Sequence, residues 1–107
     1  MVTLPERLRA LRNIADISAR ASDRLAGLHE GHTRHIELGR WSPGPKTAAA
    51  LAHVFGASLD WLVSGAGRAP SAKRVRDAVA RARSVRRGVA ASMQTAHKTS
   101  AERKDDR

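Results

Sequence analysis

Residues 18–39 read SARASDRLAGLHEGHTRHIELG, a run that fits two short helices joined by a tight turn. Ser18 is a strong N-cap type, Ala21, Leu25 and Ala26 fall on one helical face, and Gly27 supplies the left-handed residue that ends a helix at low cost. This predicts a helix over Ala19 to Ala26. Beyond Leu28 a further helix fits from about Glu30 to Leu38, with His29 at its cap, Ile36 facing inward and Gly39 as the stop. The turn between the two is then only about three residues long.

Working outward, Thr3-Leu4-Pro5-Glu6 is a capping box, with a Thr cap, an early Pro and Glu three residues after Thr. Leu4, Leu8, Leu11 and Ile14 or Ala15 follow at helical spacing, with Arg7, Arg9 and Arg12 on other faces, so a first helix runs to about Asn13–Ala15. Downstream, Pro43-Gly44-Pro45 breaks the chain and opens another helix whose buried stripe is Ala48, Leu51, Ala52 and Phe55, closed by Gly56. Ser58 caps a fifth helix from Leu59 to Val63 carrying the large apolar residues Trp61 and Leu62. Gly65-Ala66-Gly67 with Pro70 then marks a boundary, placing one domain over 1–67 and a second segment over 68–107. Five short helices without alternating Val/Ile/Thr-rich runs predict an all-α fold.

Composition narrows the function classes. A chain of 107 residues is too short for a doubly wound sheet or a barrel. Without cysteine it has no disulfide framework, thiolate nucleophile or ordinary zinc finger. It carries no apolar run long enough to span a membrane and no secretory leader pattern, so a cytoplasmic location and no membrane partner are expected. The net charge of +10 is uneven: residues 1–67 contribute +2 and residues 68–107 contribute +8. Such a basic segment favours a polyanionic partner, nucleic acid first.

Two short helices around a tight Gly-containing turn, inside a domain of about 65 residues, make a helix-turn-helix, which lays its second helix in the major groove of double-stranded DNA. Leu25-Ala26-Gly27-Leu28, then Ile36-Glu37-x-Gly39-Arg40, then Leu51-Ala52-x-x-Phe55-Gly56-Ala57-Ser58-Leu59-Asp60-Trp61-Leu62-Val63-Ser64-Gly65 resemble the lambdoid phage repressor and Cro (XRE) family of regulators over roughly residues 4 to 67. The resemblance implies a five-helix repressor-like DNA-binding domain, followed here by a basic C-terminal segment that is helical or partly disordered. It implies base reading by His29, Glu30, Gly31, Arg34 and His35, with Gly31 unable to read through a side chain. Arg34 suits guanine O6 and N7, Glu30 suits cytosine N4, and histidine can donate to purine acceptors. Arg20, His32, Arg40 and Lys46 suit phosphate, and Arg12 with Glu37 stand where the family places a structural ion pair. This chain departs from the pattern at Ala19, where relatives carry Gln, at Asp23, where they carry Ala, and at Thr33, where they carry an apolar β-branched residue. Asp23, close to the packing side of the helix pair, needs a hydrogen-bond donor.

His29-Glu30-Gly31-His32 is a near miss to a zinc-protease motif, its histidines three rather than four apart. A metal-sensing clasp of His29, His32 and His35 is weighed against exposed imidazoles facing the groove, and the latter is expected: no metal and no cofactor. Trp41 suits stacking near the sugar-phosphate backbone or partial burial under the 43–45 turn, and His53 is a boundary residue of its helix. With no Ser/His/Asp set, phosphate loop or carboxylate pair, the chain is expected not to be an enzyme. From the cap Ser71, the residues Val75, Ala78, Ala82, Val85, Val89 and Ala96 keep a heptad-like spacing over a helix of about 72–96, with residues after 97 expected to be disordered. Small side chains, Gly88 and many arginines weaken a zipper, so this stripe fits a dimerising helix, a helix docked on its own domain or on a protein partner through 71–96, or an arm that folds on DNA. The resulting expectation is a bacterial or phage DNA-binding transcriptional regulator, a repressor acting as a homodimer on a pseudo-palindrome. An autoregulating antitoxin and a protein-interaction adaptor that retains the fold are the alternatives.

Overall fold

A computed structural model describes residues 2–85. Five helices form in the order α1 (Leu4–Ala15), α2 (Ala19–Ala26), α3 (His32–Glu37), α4 (Pro45–Phe55) and α5 (Leu59–Ser64). A sixth, α6, occupies 72–85, and no strand occurs among the described residues. The remainder of the expected 72–96 helix and the tail after 97 lie outside the described residues.

The local signals act as their chemistry dictates. Thr3 and Glu6 complete the capping box, the Thr3 N–H and hydroxyl both donating to Glu6 Oε1 at 2.9 and 3.0 Å. Ser18 and Ser58 cap α2 and α5 by accepting from the N–H groups of Ala21 and Trp61 at 3.0 and 3.1 Å. The core gathers Leu8, Leu11, Ile17, Ile36, Leu51, Phe55 and Leu62. Of the two large apolar residues of α5, Leu62 takes the inward position and Trp61 is only half-buried against the cluster.

Two features extend past the sequence reading. Arg7, expected on an outer face of α1, is buried: its Nε, Nη1 and Nη2 donate to the carbonyls of Leu62, Val2 and Val63 at 2.9, 2.6 and 3.0 Å. It thereby satisfies carbonyls left without partners at the end of α5. The core also does not stop at residue 67, since Val75 and Val79 of α6 belong to the same cluster and Ala78 is buried beside them. The first two residues of the heptad-like stripe, Val75 and Ala78, are thus consumed within the chain.

Gly56 makes this docking possible. It ends α4 with a φ of 66°, and a Cβ built there would lie 2.9 Å from the Cβ of Ala78 and 3.3 Å from the carbonyl oxygen of Arg74. Arg74 Nε donates to the Gly56 carbonyl at 2.9 Å. We expect Gly56→Ala to lower stability by about 2–3 kcal/mol through backbone strain plus overpacking. In urea denaturation the loss should be smaller in an Ala78→Gly background, and equal losses in both backgrounds would show that α6 does not press on Gly56.

The capping box also sets a pH limit. The hydrogen bonds from Thr3 hold the Glu6 carboxyl below its ordinary value, so the stabilisation is present above that ordinary value and is lost as pH falls through the lowered one. Comparison of Glu6→Gln with the parent by circular dichroism should show a shallower acid limb in the variant.

Candidate nucleic-acid interface

The α2–α3 joint is polar and sealed. Gly31, with a φ of 93°, starts α3 and has no side chain to cap it. Asp23 on α2 does so from a distance, its two carboxylate oxygens accepting the N–H groups of Gly31 at 2.8 Å and Thr33 at 2.7 Å. The Thr33 hydroxyl donates to Ser22 Oγ at 3.2 Å, and Ser22, Asp23 and Thr33 are all buried. The two departures at Asp23 and Thr33 are therefore coupled: the donor that the buried carboxylate needs is the backbone of the next helix.

That arrangement shortens α3. Sequence signals place its cap at His29 and its start near Glu30, whereas the left-handed Gly31 moves the start to His32 and lengthens the connection to residues 27–31. His29 and Glu30 consequently lie in the turn ahead of the helix, both exposed. Glu30 forms an ion pair with Arg20 on the first turn of α2, so a residue expected to read bases and one expected to hold phosphate are joined to each other.

The inner side of α3 is anchored to α1. Ile36 sits in the core, and Glu37 takes a fork from Arg12, whose Nε and Nη2 donate to its two oxygens at 2.7 and 2.8 Å. The Arg12 Nη1 reaches the Ile17 carbonyl at 3.0 Å, and Arg9 Nε adds a longer bond to Glu37 at 3.4 Å. Pairing with Glu37 holds the Arg12 guanidinium above its already high ordinary pKa.

The other side presents what is left. Arg34 is exposed, His32 and His35 are half-buried, and Arg40 and Lys46 are exposed after α3 and on the first turn of α4. Trp41, half-exposed, lies against both imidazoles rather than under the 43–45 turn: its ring is stacked on His35 at 4.2 Å and meets His32 edge-on at 5.2 Å. The stack is not visible in the sequence because the chain must first turn back at Gly39, whose φ is 76°. Among the described residues no group of three or more His, Cys, Asp or Glu is placed to hold a metal ion.

A short helix clamped from behind by a buried carboxylate and an ion pair, with cationic and aromatic side chains outward, defines a helix-turn-helix domain. The chain belongs to the helix-turn-helix domain family, whose match spans residues 4–62, from the first residue of α1 into α5. Comparison with curated proteins and with solved structures yields no match. No helix among the described residues is long and apolar enough to cross a membrane.

Asp23→Ala removes the acceptor shared by two N–H groups at the start of α3 and is expected to cost about 3 kcal/mol. Asp23→Asn, whose amide oxygen can still accept one of them, should cost less. Melting temperatures of the two variants and the parent check this order, and a parent-like melting temperature for Asp23→Ala would show that the joint does not need the carboxylate.

Proposed function

We propose that the protein is a sequence-specific DNA-binding transcriptional regulator of the lambdoid repressor and Cro type, without catalytic activity or cofactor. In this reading it works in the bacterial cytoplasm, on a host or phage genome, as a repressor occupying a pseudo-palindromic operator as a homodimer. The observation that carries it is the fixed presentation of α3. Asp23 and Arg12 hold its inner side while Arg34 stays exposed and His35 half-buried against Trp41, and Arg40, Lys46 and Arg20 supply charge for phosphate. Arg34 and His35 are the strongest base-reading candidates because they lie on the helix itself. His29, Glu30 and Gly31 precede it, and His32 is held at the edge of Trp41.

The docking of α6 bears on the dimer. With Val75, Ala78 and Val79 turned into their own domain, a dimer contact through this helix falls to Ala82, Val85 and residues beyond. A second reading, an antitoxin whose C-terminal segment holds a toxin, is favoured by the same region. Val85 is 65% exposed and borders a groove of about 620 Å³ between α6 and α4, with Leu25, Val54 and Ala82 among its apolar lining residues.

Selection from a random duplex pool tests the reading. With the selected site in hand, Arg34→Ala should cost about 1–3 kcal/mol there and relax preference at particular base pairs. Arg40→Ala should weaken all sequences alike and lower the salt slope by about 0.9 for each phosphate it no longer neutralises. A chain truncated after residue 85 keeps Val75 and Val79 and should sediment as a monomer where the full chain is a dimer, losing cooperative occupancy of half-sites about 34 Å apart. Equal losses on selected and random DNA for Arg34→Ala would remove α3 as the reader.

A further inference from the structure

His35 and Trp41 lie on opposite sides of the turn that ends α3, yet their ring centroids are 4.2 Å apart and their planes 29° from parallel. The backbone is arranged to make them meet: the His35 carbonyl accepts the N–H groups of both Arg40 and Trp41, at 2.9 and 3.3 Å. The imidazole is thus held from two directions, by its own main chain and by the face of an indole. His32, one helical turn earlier, closes the far side of the cluster edge-on to the same indole at 5.2 Å.

The stack has a chemical consequence for His35. Its Nδ1 is buried and has no hydrogen-bond partner among the described residues. Any bond the ring makes to an outside group is therefore made through Nε2. An orphaned buried N–H is rarer in proteins than an unsatisfied acceptor, so the neutral ring carries its hydrogen on Nε2 and offers the outside a single donor. In the major groove a single donor is matched by base acceptors, N7 and O6 of guanine, N7 of adenine and O4 of thymine, and is not matched by the amino groups of cytosine or adenine; N7 is the one acceptor that adenine and guanine share.

We infer that Trp41 is a positioning residue for base reading: it holds the His35 imidazole so that Nε2–H is the ring's free donor, and His35 donates it to a purine N7 at one position of the site, a contact that adenine and guanine both offer. The inference rests on the proposed DNA reading by α3. Trp41 touches no base in this scheme and acts only through His35, which separates its role from that of Arg34.

The test uses the full chain and duplexes carrying the selected site, with each purine replaced in turn by its 7-deaza analogue. The parent should lose about five- to tenfold in affinity at one position, the size of one net hydrogen bond. His35→Ala and Trp41→Leu should bind the natural and 7-deaza duplexes at that position equally, while Trp41→Phe, which keeps a ring to stack, should retain the parent's loss. Preference at the base pairs read by Arg34 should be kept by all four proteins, a readout that general damage to the fold would move. If Trp41→Leu keeps the full loss on the 7-deaza duplex, or if Trp41→Phe and Trp41→Leu behave alike, the positioning role is overturned while the DNA reading stands. If the parent shows no sequence preference in any duplex, the DNA reading falls and the role of Trp41 falls with it.

Discussion

A buried carboxylate capping a helix to which it does not belong is the constraint on which this domain depends. Asp23 commits both oxygens to the backbone of α3, and burial makes each of those bonds costly to lose. With Gly31 in a left-handed conformation and unable to cap, α3 has no internal means of starting where it does. The place where it starts is a consequence of one side chain on the preceding helix. Ser22 and Thr33 reinforce the joint with a buried hydroxyl pair, a directional contact where an apolar pair would allow sliding.

The rest of the structure divides charge by task. Arg7 and Arg12 are turned inward, one onto the carbonyls ending α5 and one onto Glu37, while Arg34, Arg40 and Lys46 remain in solvent. A guanidinium serves the inward role because its planar fork can satisfy several acceptors at once without being discharged. The net charge alone therefore overstates what faces a polyanion. Arg20 is further discounted by its ion pair with Glu30.

Much of the helical layout is legible in the sequence because its determinants are local. The Thr3–Glu6 box, Ser18, Ser58, Pro45 and the glycines at 27 and 56 act within a few residues of themselves, and the helices begin and end by them. What is not legible depends on residues far apart in the chain. Helical spacing puts Arg7 three residues after Leu4 and four before Leu11, on the apolar side of α1, and Arg9 on the other side; what the spacing cannot supply is the set of carbonyls that lets a guanidinium be buried there, since α5 brings them from some 55 residues on. Gly31 reads as an interior position of α3 because its capping partner is eight residues earlier on another helix. The Val75–Ala78 stripe satisfies a helix partner equally well in the same chain or in another, and only the close approach at Gly56 decides for the same chain. At the candidate interface, residue types point to DNA, but the pairing of Arg20 with Glu30 and the stacking of Trp41 on His35 are products of tertiary placement.

The guanidinium of Arg7 has a further consequence, for the order in which the chain assembles. One planar group holds the carbonyls of Val2, Leu62 and Val63, so the two ends of the five-helix unit are joined through a single side chain. Closing a flexible loop across the 55 residues between Arg7 and Leu62 costs on the order of 3.5 kcal/mol in chain entropy, comparable with what its two hydrogen bonds to α5 return. Formation of α2, α3 and α4 shortens the path between α1 and α5 and lowers that cost. Arg7 is therefore a fastening whose yield depends on the helices that stand between its two partners.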